Sequence, residues 1–409
     1  MEFKQTQLPN GLKVIAEVNP SAASLAVGFF VRTGSRDEDD RTAGVSHFLE
    51  HMMFKGTERR SAFDINREFD EMGASYNAFT SEENTVYYAA VLPEFQARVL
   101  DLLADMLRPA LREEDFQTEK KVILEEIALY QDRPQYRLYE KLMARHFAGH
   151  PLGRSVLGTR ESITALRRED MLAYFDRRYS PSNVTLVGTG RIDWEAFADK
   201  AAAACSHWEA FEAPRARPPA DAGGGVGVMA DGRLGRQYVG IMSRAPCAQD
   251  ERRYAASLAA TVLGDVTGSR LFYALVAPAI AEEADCGYEP LDGEGAFMTL
   301  LVTDPGRAGE ALEIARKELA RFRAEGPTEA ELTAAKNKAA SAVTRKGELP
   351  MGRLTAVGFD WIYRQTYRPL GEHIDRILAV TTDEIVEVVR EYDLTSATIL
   401  ALGPNEKLL

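Results

Sequence analysis

A constant offset ties one half of this chain to the other. Ile163, Phe175, Ser182, Val184 and Leu186 fall on Ile377, Val389, Ser396, Thr398 and Leu400, each 214 residues further on (377 − 163). The surrounding pattern is a helical stretch followed by a short apolar strand, Asn183-Val-Thr-Leu-Val-Gly in the first copy. A repeat at half the chain length constrains the fold to two similar units. Between them, residues 213–225 are rich in Pro, Ala and Gly and carry no apolar period, which marks a linker. The expected organisation is two α+β halves, residues 1–212 and 226–409, joined by that linker.

Within the first half, residues 5–33 read as β structure, with Asn10-Gly11 as a turn and Leu25 to Val31 as an apolar run. Gly34 and the charged Arg36-Asp37-Glu38-Asp39-Asp40 read as an exposed loop. Ser61 to Met72 reads as a helix with Ser61 at its N-cap and Gly73 as its stop. Residues 74–92 return to extended structure, in which Tyr76-Asn77-Ala78-Phe79-Thr80 is polar enough for an edge strand. Such an edge offers unpaired backbone groups to an extended peptide. Helices are expected over Phe95 to Leu107 and Glu113 to Tyr130. In the second half the expectation is strands near Gln237 to Met242 and Phe297 to Val302, with helices over Gly309 to Glu325 and Thr328 to Lys346.

The helix that opens after Gly44 carries the chemistry. Val45, Phe48, Leu49, Met52 and Met53 give it an apolar pattern, and His47 and His51 stand one turn apart on one face. Glu50 projects to the same side. Two imidazoles at that spacing chelate one metal, while the carboxylate reaches a water bound to it. The order His-x-x-Glu-His is the reverse of the commoner zinc-protease order. A catalytic metal has three protein ligands and one open position, so a third ligand must come from elsewhere. Glu119 and Glu126, seven apart on the Glu113 to Tyr130 helix, share a side. Glu126 lies at the edge of that helix's apolar face, where a carboxylate is costly to bury without a cation opposite.

Composition excludes some classes. The net charge of −13 argues against a nucleic-acid partner. Cys205, Cys247 and Cys286 are few, scattered and odd in number, so neither a disulfide framework nor a cysteine metal site is implied. No stretch is long enough to span a membrane, and Met1-Glu2-Phe3-Lys4-Gln5 lacks the apolar core of a signal peptide. The expectation is a cytoplasmic protein, or a periplasmic one if a leader has been removed. His146 and His150 also stand four apart, but Gly149 and Pro151 interrupt a helix there, so they read as structural or surface residues. His207 reads as ordinary packing beside Trp208.

The stretch from Gly44 to Thr57 resembles the inverted zinc motif of the pitrilysin/insulinase metallopeptidases, in particular the short bacterial branch related to the mitochondrial processing peptidase. That family has a Glu about 75 residues beyond the second His and seven after another acidic residue, and here Glu126 and Glu119 stand at those spacings from His51. Met72 to Thr80, Glu83 to Tyr87, His150 to Gly158 and Ser269-Arg-Leu-Phe272 resemble further family segments, so the likeness runs the full length. It implies an α+β fold of two similar duplicated domains, each a mostly antiparallel sheet packed with helices, forming half of a clamshell.

The resemblance also implies roles. His47, His51 and Glu126 would bind one Zn2+ per chain, Glu50 would be the general base, and Glu119 would steady the ligands from behind. Asn77, with Ala78 and Phe79, would hold substrate backbone. The implied activity is zinc-dependent endopeptidase action on unfolded peptides or small proteins, in an enclosed chamber made by a homodimer or a heterodimer with a related chain. One departure stands out. Active relatives carry an Arg and, seven residues later, a Tyr after Ser-Arg-Leu-Phe; here Val276 and Glu283 occupy those positions. The alternative is therefore a half-active or non-proteolytic subunit that binds zinc and peptide but needs a partner chain for the missing pair.

Overall fold

The computed structural model describes residues 1–221 and 223–408. Ala222, inside the stretch expected as linker, and Leu409, at the end of the expected second domain, lie outside the described residues. The chain forms two compact units. One consists of Met1–Ala128, Arg154–Ala216 and Arg345–Pro369, the other of Leu129–Gly153, Arg217–Thr344 and Leu370–Leu409.

The first unit is built on a six-stranded sheet. Its strands are β1 (Glu2–Gln7), β2 (Lys13–Val18), β3 (Leu25–Val31), β4 (Ser75–Thr80), β5 (Thr85–Val91) and β6 (Val184–Gly190), in the order β1-β2-β6-β3-β5-β4. All neighbours are antiparallel except β2 and β6. The sheet of the second unit contains β7 (Gly225–Ala230), β8 (Gln237–Arg244), β9 (Glu283–Pro290), β10 (Gly295–Thr303) and β11 (Thr398–Gly403), ordered β7-β11-β8-β10-β9. Its one parallel pair is β7 with β11. Removing β1 leaves two sheets of the same topology, in which β6 and β11 hold equivalent places. Leu186 and Leu400, matched by the sequence offset, sit on those two strands. Both units are α+β.

Both faces of β3 are covered, which explains its unbroken apolar run. Phe30 meets Phe359 edge-on at 5.6 Å, while Phe29, pointing the other way, meets Trp208 at 5.9 Å. Phe359 belongs to the Pro350–Arg364 helix, which packs on β3 and β6. A Cβ at Gly358 would stand 2.2 Å from the Phe30 ring, so only glycine permits this close approach. The helix is also tied by a buried ion pair, Arg353 with Glu17 of β2, to which the Tyr367 hydroxyl donates at 2.8 Å.

The corresponding helix of the first half, Pro134–His146, lies in the second unit. It packs on β8 and β11, the counterparts of β3 and β6, and puts Leu138 and Leu142 in a core with Met242, Leu400 and Leu402. The opposite face of that sheet holds Val239 and Ile241 against the Arg253–Gly264, Ala308–Glu325 and Thr382–Glu391 helices. Each sheet is thus covered by a helix that the repeat assigns to the other half, and the compact units are discontinuous where the expected boundaries, 1–212 and 226–409, are continuous. Gly225, expected as the last linker residue, already opens β7.

The expected exposed loop at 36–40 is different in the structure. Arg36 and Glu38 are each only 4 % exposed, and only Asp39 and Asp40 lie open to solvent. Each buried charge has a partner: Arg36 pairs with Glu83, and Asp37 takes Arg178 at 3.0 Å and Arg215 at 2.5 Å. Among the described residues no helix is long and apolar enough to cross a membrane.

Candidate metal centre

Two helices build the site. The Val45–Met52 helix begins at Gly44, whose φ of 90° is left-handed and favours glycine. It has no side-chain cap of its own. Glu38 supplies one from six residues upstream, its two oxygens accepting the Gly44 and Ser46 amides at 2.7 Å each, where the helix dipole favours a negative charge. The second helix is Glu113–Gln131, with Phe116, Ile123 and Ile127 buried. Phe116 stacks on Phe48 of the first helix with centroids 4.8 Å apart and planes within 9°. That contact sets the two helices in register, and Glu119 and Glu126 follow three and ten residues later.

His47, His51 and Glu126 come together, each offering a ligand atom within 4.8 Å of the others. Glu126 Oε2 lies 3.8 Å from His47 Nε2 and 3.4 Å from His51 Nε2. These gaps are too long for good hydrogen bonds. They suit a shared cation, because two ligands each about 2.1 Å from a tetrahedral zinc stand about 3.4 Å apart. The Glu126 Oε2 atom is buried with no hydrogen-bond partner, the position of an acceptor that expects a cation. The donor set of two imidazoles and a carboxylate therefore fits zinc.

The surroundings set the protonation of these side chains. Burial, helped by the neighbouring His51, pushes His47 down to about 3, which keeps its imidazole neutral and free to coordinate. Burial works against charge on His51 as well, but the hydrogen bond to Glu119 and the charges of Glu126 and Glu50 outweigh it and raise its pKa. His51 Nδ1 lies 2.9 Å from Glu119 Oε1, which leaves Nε2 facing Glu126 and fixes the ring orientation. Burial alone would raise Glu119, yet its bonds to His51 and to Lys55, whose Nζ is 2.6 Å away, hold it below the ordinary carboxylate range. Glu50 is raised by burial against the hydrogen bond from Thr80 Oγ1 at 2.6 Å.

The expected substrate-binding residues lie on β4, which is the sheet edge and among the described residues pairs only with β5. Asn77 is exposed and its Oδ1 accepts the Ala78 amide at 2.9 Å; Ala78 faces inward, and Phe79 lies half-buried near the rings of Tyr88 and Phe359. In the second unit, Val276 packs against the core, and Glu283 opens β9 and accepts from Gln135 at 2.7 Å. The nearby Tyr288 hydroxyl donates to the Pro246 carbonyl at 2.7 Å.

The other histidines stand apart from the site. His146 and His150 are buried, at 3.1 Å from the Thr398 hydroxyl and 3.0 Å from the Pro218 carbonyl. His207, expected to be packed, is exposed while Trp208 is buried. Sequence reasoning missed Glu38, Lys55 and Thr80. For Thr80 the period-two alternation of β4 held a signal, since it shares a face with Ala78.

Known proteins bear directly on this geometry. Residues 13–160 match the family described as Insulinase (Peptidase family M16), and residues 165–339 match that described as Peptidase M16 inactive domain. An uncharacterized zinc protease of Mycobacterium leprae is 31% identical over 98% of this chain and 91% of its own length. The chain belongs to the M16 peptidase family. This M16 chain also shares its fold with solved structures. A protease from Helicobacter pylori superposes with a TM-score of 0.92 at 21% identity, covering 98% of this chain and 99% of the other. A Pseudomonas fluorescens structure described as a peptidase M16 inactive domain gives 0.90 at 19% identity, with 99% of both chains covered. Residues 165–339, matched to the inactive domain, contain no His-x-x-Glu-His segment.

Proposed function

We propose that this M16 peptidase is a zinc-dependent endopeptidase acting on unfolded peptides or small proteins. The observation that carries the reading is the convergence of His47, His51 and Glu126 around an unpartnered buried carboxylate oxygen, with Glu50 on the same helix face. These three residues would hold a zinc ion, which would supply Lewis acidity to polarise a peptide carbonyl and lower the pKa of a water towards about 7. Glu50 takes the proton from the attacking water and delivers it to the leaving amine nitrogen. Burial raises the affinity of its carboxylate for that proton. Glu119 and Lys55 hold His51 in place, and the free edge of β4 aligns an extended substrate with Asn77 beside it. The working form in this reading is a pair of chains enclosing a chamber. Cys205, Cys247 and Cys286, all free thiols, support a cytoplasmic location.

The test is metal content and cleavage in parallel. Purified protein should hold one zinc per chain, and Glu50→Gln should keep the zinc while losing cleavage of an unfolded peptide. Undiminished turnover by that variant would remove Glu50 from the role of base.

A second reading rests on Val276 and Glu283, which stand where active relatives carry an Arg and a Tyr. Val276 has no polar side-chain atom, Glu283 is engaged as the acceptor for Gln135, and the nearby Tyr288 hydroxyl donates to a backbone carbonyl. An absent oxyanion donor costs about 3–4 kcal/mol of transition-state stabilisation. A chain that cleaves nothing alone but becomes active with a companion chain would favour this reading.

A further inference from the structure

Glu50 has one hydrogen-bond donor among the described residues, the Thr80 hydroxyl at 2.6 Å from Oε2. The surroundings dictate that direction. Thr80 pairs across the strands with Thr85, whose own hydroxyl proton goes to the Thr33 carbonyl at 2.9 Å. The two threonine oxygens stand 3.5 Å apart, so the short bond is the one to the carboxylate. Oε2 is thereby pinned, while Oε1 has no hydrogen-bond partner among the described residues and is left for proton traffic. Thr80 is the last residue of β4, whose alternation also turns Tyr76 and Ala78 towards this side. Tyr76 stacks on Phe69 at 3.9 Å and Ala78 is buried, which anchors the strand against the helical layer.

We propose that Thr80 is a positioning residue for the base: its hydroxyl fixes the Glu50 carboxylate and couples it to the edge strand on which the substrate lies. The proposal deepens the endopeptidase reading and rests on it. A base held by one hydrogen bond from a rigid strand keeps a single rotamer, and a general base delivers its advantage only when its oxygen is within reach of the proton it takes. Because the donor sits three residues beyond Asn77, a peptide that displaces or tightens β4 moves the carboxylate with it.

The experiment compares Thr80→Val, which keeps the shape and removes the donor, with Thr80→Ser, which restores it. Bound zinc and the urea midpoint are checked first, to show that each variant is folded and loaded. For Thr80→Val, kcat should fall by about tenfold to hundredfold, with KM within about twofold of the parent. Thr80→Ser should recover kcat to within about threefold. The second readout is independent of activity: crystals of metal-free Thr80→Val should show the Glu50 carboxylate spread over more than one rotamer. An unchanged kcat, a loss confined to KM, or a Glu50 rotamer identical to the parent's would overturn the role of Thr80. If the parent chain cleaves no peptide, the endopeptidase reading fails, and the rotamer comparison still decides whether Thr80 positions Glu50.

Discussion

Glu38→Gln offers a stability measurement that isolates the cap of the Val45–Met52 helix. Glu38 is buried, and burial pushes its carboxyl from 4.5 up to about 8, against the hydrogen bonds from Ser46 and Gly44 that favour the charged form. A raised carboxyl pKa means that the folded chain keeps a proton that the unfolded chain releases. The stability contributed by this group is therefore complete below pH 4.5 and is lost as pH rises through about 8. Each pH unit in that interval is worth about 1.4 kcal/mol, so the whole interval sets a ceiling of about 5 kcal/mol. Glutamine has the same shape and no charge, and its loss of one good acceptor costs about 1–2 kcal/mol at any pH. The variant should thus trail the parent slightly at pH 5 and lead it at pH 8.5. Trp194, Trp208 and Trp361 all lie in the first compact unit, so tryptophan fluorescence in urea follows that unit alone. The titration is run with chelator present, which removes any contribution from metal. A gap between the two proteins that stays constant from pH 5 to 9 would refute the reasoning, because it would mean that the two backbone amides keep Glu38 ionised throughout.

Two further outcomes can be checked. Glu119→Gln keeps an acceptor for His51 but removes the charge that Lys55 compensates, so zinc affinity should fall about 10–100-fold, read by competition with a fluorescent chelator. Arg353→Met leaves Glu17 buried with only the Tyr367 hydroxyl, and should destabilise the first unit by about 3–5 kcal/mol; replacing Glu17 by Met as well should regain most of that loss.

Local patterns were readable where local physics decides them. Ser61 caps its helix by accepting the Asp64 amide, as the spacing predicts, and Gly73 follows with a φ of 59°. His47 and His51 needed only helical periodicity. Glu126 was suggested by its place on an apolar face, but its convergence with the histidines depends on Phe48 meeting Phe116, a contact between segments that no window of sequence contains. The loop at 36–40 misled for a related reason: charged residues are exposed by default, and Arg36 and Glu38 are buried only because Glu83 and the Gly44 and Ser46 amides wait for them. β7 and β9 went unread because Gly225, Gly227 and Gly287 dilute their strand character. The repeat implied two similar units, and the two sheets do share a topology once β1 is set aside, yet nothing in the repeat reveals which helix covers which sheet.

That exchange of helices bears on how the chain is born. Residues 134–146 leave the ribosome well before β8 and β11 exist, so Leu138, Leu142 and Phe147 must wait in water for their cover. At the same time the Phe30 side of β3 stays bare until residues 350–364 are made. The polypeptide therefore carries two unfinished oily surfaces through most of its synthesis, and closes both only when almost the last segment arrives. A chain that ended at residues 213–225 would lack both covers, the sheet that receives Leu138 and Leu142 and the helix that closes over Phe30.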